Sequence, residues 1–404
     1  MTTTIRTNDS EVVISLAGRL DTATSAATAE EIARELSRYD NVGQLTADLE
    51  QLDYISSSGL RVLLALSKRY KPFRIVNAQP FVYEVLETTG FTKMMSVSRA
   101  MRLMSIEGCQ LIGVGGVGRV YRLDDDTIIK VFREGTTMDE VRSEITMSKE
   151  AFVLGMPTAI SFDIVRVKPL DEGGAECYGL VYELLKADTL SAVVRSHPDQ
   201  VEIYARKYAD LFRQLHSIEV SPGSSVPSAI EHERSQVEHV RRYFPQEQVD
   251  MMLRIVDSIP QGNRLLHLDL QTKNAMVQGD ELMLIDMGEV GYGHPLLDLG
   301  HAYSAMVTLA GDYDQIIGMP QELGVRLWNL AIDHYFEGLP ADVVAQRKAQ
   351  IEVVSCVRNF SWLSLSDSFP EAVVKYCQDL FHQRIASRFD YILSVCKTFD
   401  QWKV

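Results

Sequence analysis

Leu265-Leu266-His267-Leu268-Asp269-Leu270-Gln271-Thr272-Lys273-Asn274-Ala275-Met276-Val277 is the stretch that decides how this chain reads. His267, Asp269 and Asn274 stand in the spacing HxDxxxxN. A short apolar run, Leu282 to Ile285, follows and leads into Asp286-Met287-Gly288. The residue types suit one chemistry. A loop carboxylate, Asp269, can accept the proton of an attacking hydroxyl. Asn274 and Asp286 offer hard oxygen ligands of the kind magnesium takes when it bridges phosphates. His267 reads as a brace for the loop rather than as a base. Any one of these side chains could be an ordinary loop residue; the ordered set carries the inference.

Working outward, Gly113-Val114-Gly115-Gly116-Val117-Gly118-Arg119-Val120 has the form GxGxxGxV. Alone it is weak, because dinucleotide folds, kinases and plain turns all use it. A dinucleotide fold places a helix directly after the third glycine. Here Val120 to Leu123 reads as a strand, Asp124-Asp125-Asp126 as a turn and Thr127 to Phe132 as a second strand carrying Lys130. That order is the kinase arrangement. Gly113, Gly115, Gly116 and Gly118 would let the backbone approach the ATP phosphates, and Lys130 would supply them with a point charge. Such a lysine needs a carboxylate. Met138 to Leu154 reads as a helix that offers Glu140, Glu144 and Glu150; Glu144 is preferred for its mid-helix place, with the other two left open. Phe162 to Val167 and Tyr178 to Leu184 read as further strands, and Glu183 to Leu185 as a hinge whose backbone meets adenine. From about 190 the chain reads as helical. Leu211, Phe212 and Leu215 mark a core helix that ends at His216, which alone carries no functional meaning.

The charge is divided unevenly. Residues 1–105 hold 12 basic and 12 acidic side chains, so the net −15 belongs to the remaining 28 basic and 43 acidic residues. Acidity of that size disfavours a nucleic-acid partner, which needs a basic patch. Apolar content of 46% and charged content of 24% are those of a globular chain. No apolar run approaches the roughly 20 residues of a membrane span, and MTTTIRTNDSE lacks the apolar core of a secretion signal. The five cysteines, 109, 177, 356, 377 and 396, form no CxxC. They fit a reducing cytoplasm rather than a disulfide framework or a zinc site.

The neutral part alternates strands with helices. Glu11 to Leu16 and Leu45 to Leu49 read as strands, Thr22 to Ser37 and Arg61 to Tyr70 as helices, and Phe73 to Val76 as another strand. This is an α/β domain of about 100 residues. Its informative segment is Asp53-Tyr54-Ile55-Ser56-Ser57-Ser58-Gly59-Leu60. Serines at the start of a helix cap its free amides. The same amides and the helix dipole would also hold a phosphate added to one of those serines.

With those residues in view, two resemblances stand out. Gly18-Arg19-Leu20-Asp21, Asp48 through Asp53, Ile55 through Arg61 and Gly90-Phe91 resemble a STAS domain, the fold of anti-sigma factor antagonists, over about residues 1–105. The resemblance implies Ser57 as the phosphorylatable serine and Asp21 as the acidic residue beside it. Ser56 stands where many phosphorylated members have Asp. Residues from about 109 onward resemble the aminoglycoside phosphotransferase and choline kinase family. The motifs are Leu215-His216, His267-x-Asp269 with Asn274, Ile285-Asp286, and Gly293-His294-Pro295-Leu296-Leu297-Asp298-Leu299, where Asp298 reads as structural. Protein kinases instead run from the DxG aspartate through a long segment to Ala-Pro-Glu, which is absent.

The expected architecture is an α/β STAS domain (1–106), then an α+β two-lobed kinase-like domain with an N-lobe (107–186) and a C-lobe (187–404). The expected reaction is Mg·ATP-dependent phosphate transfer to a hydroxyl. Asp269, Lys130 and Glu144 would be catalytic. The four glycines, Lys130, Glu183 and Leu185 would bind ATP, and Asn274 and Asp286 would bind Mg2+. The acceptor is open between a small molecule and a protein serine, Ser57 in cis or trans included. A non-catalytic ATP sensor in an anti-sigma factor pathway is the third reading. An anti-sigma factor or another STAS-binding protein is the expected partner; nucleic acid and membrane are not.

Overall fold

The structure is a computed structural model that describes residues 1–8, 11–39, 42–169, 174–308, 313–365 and 368–402. Two units divide the chain. One holds Met1–Ser105 and Ile164–Pro169, the other Ile106–Asp163 and Leu170–Val404.

The first unit begins with β1 (Thr2–Asn8) and β2 (Glu11–Leu20), an antiparallel pair with Ile5 opposite Ile14. Then come α1 (Ser25–Leu36), β3 (Gln44–Ile55), α2 (Ser57–Arg69), β4 (Phe73–Ala78), α3 (Pro80–Thr88), α4 (Phe91–Met94) and β5 (Ser96–Arg99). The sheet runs β1-β2-β3-β4-β5, parallel after its first pair. Burial alternates along β2, where Val12, Ile14 and Leu16 point into a core shared with Ala47, Ile75, Ile32 and Leu63. β6 (Arg102–Met104) pairs in parallel with Val165–Val167.

In the second unit β7 (Gln110–Val114), β8 (Gly118–Arg122) and β9 (Thr127–Phe132) form an antiparallel meander. α5 (Met138–Val153) follows, then β10 (Ser161–Val167), whose residues from Ile164 on belong to the first unit, then β11 (Cys177–Glu183), which pairs antiparallel with β9. β8 starts at Gly118, two residues before the expected strand, because Gly118 already pairs with Phe132 in the ladder; a Cβ there would strike the Val131 carbonyl oxygen. Next come β12 (Asp188–Thr189), α6 (Leu190–Ser196), α7 (Val201–Ser217), α8 (Ala229–His239) and α9 (Gln246–Val256). Four short strands embed the decisive loop: β13 (Arg264–Leu266), β14 (Ala275–Gln278), β15 (Glu281–Leu284) and β16 (Gly291–Gly293), with β14 paired to β15 and β13 to β16. α10 (Pro295–Tyr303), α11 (Tyr313–Ile317), α12 (Gln321–Tyr335), α13 (Ala341–Ser361), α14 (Glu371–Arg384) and α15 (Phe389–Cys396) complete the unit. Tyr208, Leu211, Phe212 and Leu215 of α7 are buried, with Phe212 edge-on to Trp328 of α12 at 6.4 Å. Among the described residues no helix is long and apolar enough to cross a membrane.

Candidate active site

Lys130 is the meeting point of three separate segments. It lies mid-strand in β9, opposite Val120 of β8 and Leu180 of β11. Its Nζ donates to Glu144 Oε1 at 2.8 Å, to Glu144 Oε2 at 2.9 Å and to Asp286 Oδ1 at 2.8 Å. All three ammonium hydrogens therefore point at carboxylate oxygens. Burial works against the Lys130 charge, but Asp286 and Glu144 outweigh it and hold the ammonium above its ordinary range.

The three glutamates of α5 divide by position. Glu140 caps the helix: its Oε2 accepts from Thr137 N at 2.6 Å, while Thr137 Oγ1 accepts from Glu140 N. Glu150 accepts from Ser225 Oγ at 3.0 Å. Glu144, nearly two turns into the helix, is buried at 6% exposure against Lys130. Its Oε1 also accepts from the Tyr182 hydroxyl at 2.9 Å, a partner that no sequence motif announces.

The HxDxxxxN loop connects β13 to β14. Asn274 Nδ2 donates to both the backbone oxygen and Oδ2 of Asp269, each at 2.8 Å. His267 is wholly buried. Its Nδ1 faces Asp269 N at 3.3 Å and its Nε2 faces Ile285 O at 3.2 Å, so the ring ties the loop to the residue before Asp286. Leu268 and Asp286 both adopt left-handed backbone, φ 64° and 59°, which costs a non-glycine residue about 1–2 kcal/mol. Asp298 holds the first of these in place. Its Oδ1 accepts from Leu268 N at 2.8 Å, and its Oδ2 accepts from His267 N at 3.1 Å and faces His216 Nε2 at 3.1 Å. Burial would raise the Asp298 pKa, but His216 and His267 bring it below the ordinary value. His216, unremarkable alone, thus anchors the loop through Asp298. Tyr208 donates to Leu270 O, and His301 Nδ1 faces Leu268 O at 2.9 Å.

Burial pushes the Asp269 carboxyl above its usual range; Arg358 and His267 oppose this, and Asp286 and Glu289 add to it. Arg358 lies on α13 and donates to Gln236 of α8 at 3.3 Å. Glu289 meets His232 Nε2 at 3.3 Å. Buried Glu233 meets His301 Nε2 at 2.9 Å and, despite its burial, is drawn down to about 2 by that histidine and by Arg358. These polar groups surround the loop and were not legible in the sequence, because each pairing joins distant segments.

In the glycine turn, Gly115 N donates to Gly118 O at 2.9 Å. None of the four glycines has positive φ. A Cβ at Gly116 would meet open space, one at Gly113 only ordinary contact, and one at Gly118 the Val131 carbonyl. Glu183 ends β11, and Leu184 N donates to Asp126 O at 2.7 Å. Glu183, Leu184 and Leu185 line a cavity of about 340 Å³ with Asp126, Gln278 and Met283. A cavity of about 920 Å³ between α9 and α15 touches no candidate residue.

In the first unit, Ser56 caps α2: its Oγ accepts from Gly59 N at 3.4 Å. Ser58 Oγ accepts from Arg61 at 2.9 Å, and Ser57 is exposed at the first helical position. A Cβ at Gly59 would fall 2.5 Å from Leu20 O, so only glycine allows this approach. Asp21 is engaged with its own turn, accepting from Ala23 N and Thr24 N at 3.1 Å each.

A divalent cation here would find the Asp286 carboxylate, partly exposed, and the Asn274 side-chain oxygen as donors. The set is hard and oxygen-only, and it fits a magnesium ion that draws its remaining ligands from phosphates and water.

A family model described as "Phosphotransferase enzyme family" matches residues 108–325, and one described as "STAS domain" matches residues 2–103. The chain is similar to an anti-sigma factor antagonist of Bordetella bronchiseptica, BtrV, at 34% identity over 82 residues, 19% of this chain and 71% of that protein. It is also similar to the anti-sigma-F factor antagonist RsfB of Mycobacterium tuberculosis, at 29% identity over 126 residues, 30% of this chain and 95% of that one. Among solved structures, an ADP-bound aminoglycoside phosphotransferase, APH(2'')-Ib, aligns at 13% identity and a TM-score of 0.45, covering 74% of this chain and 97% of its own.

Proposed function

This chain belongs to the phosphotransferase enzyme family and carries a STAS domain ahead of its catalytic part, and on that premise we propose that it transfers the γ-phosphate of Mg·ATP to a hydroxyl. The observation that carries the reading is Lys130 bonded at once to Glu144 and Asp286. A strand lysine, a helix glutamate and a loop aspartate converge as phosphoryl transfer needs them. Lys130 has no spare hydrogen, so a phosphate oxygen takes the place of Asp286, while Glu144 keeps the ammonium aimed. Asp286 and Asn274 would hold magnesium, which supplies charge neutralisation on the phosphates. Asp269, oriented by Asn274, accepts the proton of the attacking hydroxyl. Gly115 and Gly116 leave room above the phosphates, and Glu183 to Leu185 offer backbone to the base. The lobes would meet near residue 186.

The first acceptor class is a small hydroxyl compound. A specific observation favours a second, a protein serine: Ser57 is exposed on the first turn of α2 while Ser56 and Ser58 are engaged. On this reading the STAS domain docks an anti-sigma factor or a similar partner. All five cysteines are free thiols, in keeping with a reducing cytoplasm.

The test is incubation with γ-labelled ATP and magnesium beside Asp269→Asn and Ser57→Ala. Label on the wild type that Ser57→Ala removes assigns the serine. ATP consumption only when amino-alcohol or sugar acceptors are added assigns the small molecule. Turnover retained in Asp269→Asn would overturn the mechanism.

A further inference from the structure

We infer that Tyr182 is a positioning residue that fixes Glu144, and through it Lys130, before nucleotide arrives; the catalytic part of this inference rests on the function proposed above.

Tyr182 is the residue before Glu183 on β11, and Glu144 is 38 positions earlier on α5. The hydroxyl donates to Glu144 Oε1, the oxygen that also receives Lys130. Among the described residues, Glu144 Oε2 receives Lys130 alone. Were Lys130 the sole partner, the carboxylate would turn with the ammonium whenever Lys130 exchanged Asp286 for phosphate. The tyrosine gives Glu144 a second anchor, on a sheet strand, that this exchange does not disturb. Burial and the Glu144 charge push the Tyr182 hydroxyl far above the ordinary phenol range, so it stays a donor at every pH the protein meets. Among the described residues, two sheet side chains hydrogen-bond the Glu144 carboxylate, Lys130 of β9 and Tyr182 of β11, and the exchange at Lys130 leaves the second untouched. The alternative is that the bond only satisfies a buried hydroxyl, with Glu144 held by Lys130 alone.

Tyr182→Phe removes the hydroxyl and keeps the ring. A hydrogen bond to a charged group, if expressed in the transition state, corresponds to about tenfold in rate or more. The expected result has two parts. In the unliganded protein, amide hydrogen exchange rises in Met138–Val153 while the melting temperature moves little. In turnover, kcat falls about tenfold with a smaller change in KM for ATP, and Tyr182→Phe adds no further loss in a Glu144→Gln background, because both act through one carboxylate. Unchanged exchange in α5, or a Tyr182→Phe loss that multiplies undiminished with Glu144→Gln, would overturn the inference. A wild type that transfers no phosphate would remove the proposed reaction, and the exchange comparison would still decide whether Tyr182 fixes α5.

Discussion

Asp269 carries the sharpest residue-scale consequence. Its carboxyl is raised by burial and moderated by Arg358 and His267. A general base works only when deprotonated, so activity is lost as pH falls through the raised pKa. The acid limb of kcat/KM against pH is therefore expected above the value near 3.9 of a free aspartate. Arg358→Ala removes a cation that favours the carboxylate, so the limb moves to still higher pH while the alkaline plateau remains. A limb that stays in place in that variant would contradict the electrostatic account. Residues of this kind split by how far their partners lie. His267, Asp269 and Asn274 were legible because their spacing is local. The Glu144 pairing was legible only as a preference among three, and burial separates them: Glu140 caps the helix, Glu150 meets Ser225 and Glu144 turns inward. Tyr182 and Arg358 carried no signal, since their roles depend on contacts with remote segments.

At the scale of elements, the glycine turn makes two different demands. Gly118 lies under the Val131 carbonyl, whereas Gly116 faces open space. Gly118→Ala is expected to lower the melting temperature by several degrees, because backbone must shift. Gly116→Ala should leave melting unchanged and raise KM for ATP. The reverse pattern in paired melting and kinetic measurements would refute this division. The link from α8 to α10 titrates. Glu233, drawn from 4.5 to about 2 in the folded protein, contributes stability that is present above about pH 4.5 and lost as pH falls toward 2. The shift corresponds to about 3 kcal/mol. Glu233→Gln should therefore narrow its stability gap to the wild type as pH falls from 5 to 3, as read from urea midpoints; a constant gap would contradict it. Element boundaries were less legible than element types. β3 runs on to Ile55, past the expected end at Leu49, whereas the serine cluster does open α2, which begins at Ser57 with Ser56 as its cap. β1 went unread because the threonines of TTTIRTN mask its alternation.

For the whole molecule, the charge asymmetry now falls on units with different tasks. The neutral residues 1–105 form nearly all of one unit, and the acidic remainder supplies the catalytic chemistry. Net charge of −15 is a steering influence on acceptors and does not define a site. The sheet domain and the kinase-like part were both legible in outline, since alternating strands and helices and the ordered motifs are sequence-local. Of the polar shell around the HxDxxxxN loop, Asp298 and His216 were legible as motif residues, but their pairing and that of His301 with Glu233 were not, because these groups meet only through helix packing.

The central claim is that Asp269 is the base of a phosphate transfer supported by Lys130, Glu144 and Asp286. Its most direct test follows the γ-phosphate of labelled ATP in the wild type and in Asp269→Asn, with nucleotide binding measured on the same samples. The account predicts transfer by the wild type, and in the variant unchanged nucleotide binding with turnover lowered at least a hundredfold, the lower end of a general base's contribution of about 10²–10⁴. Equal turnover in the two proteins, or no transfer by a wild type that binds ATP and is offered both serine and small hydroxyl acceptors, would contradict it.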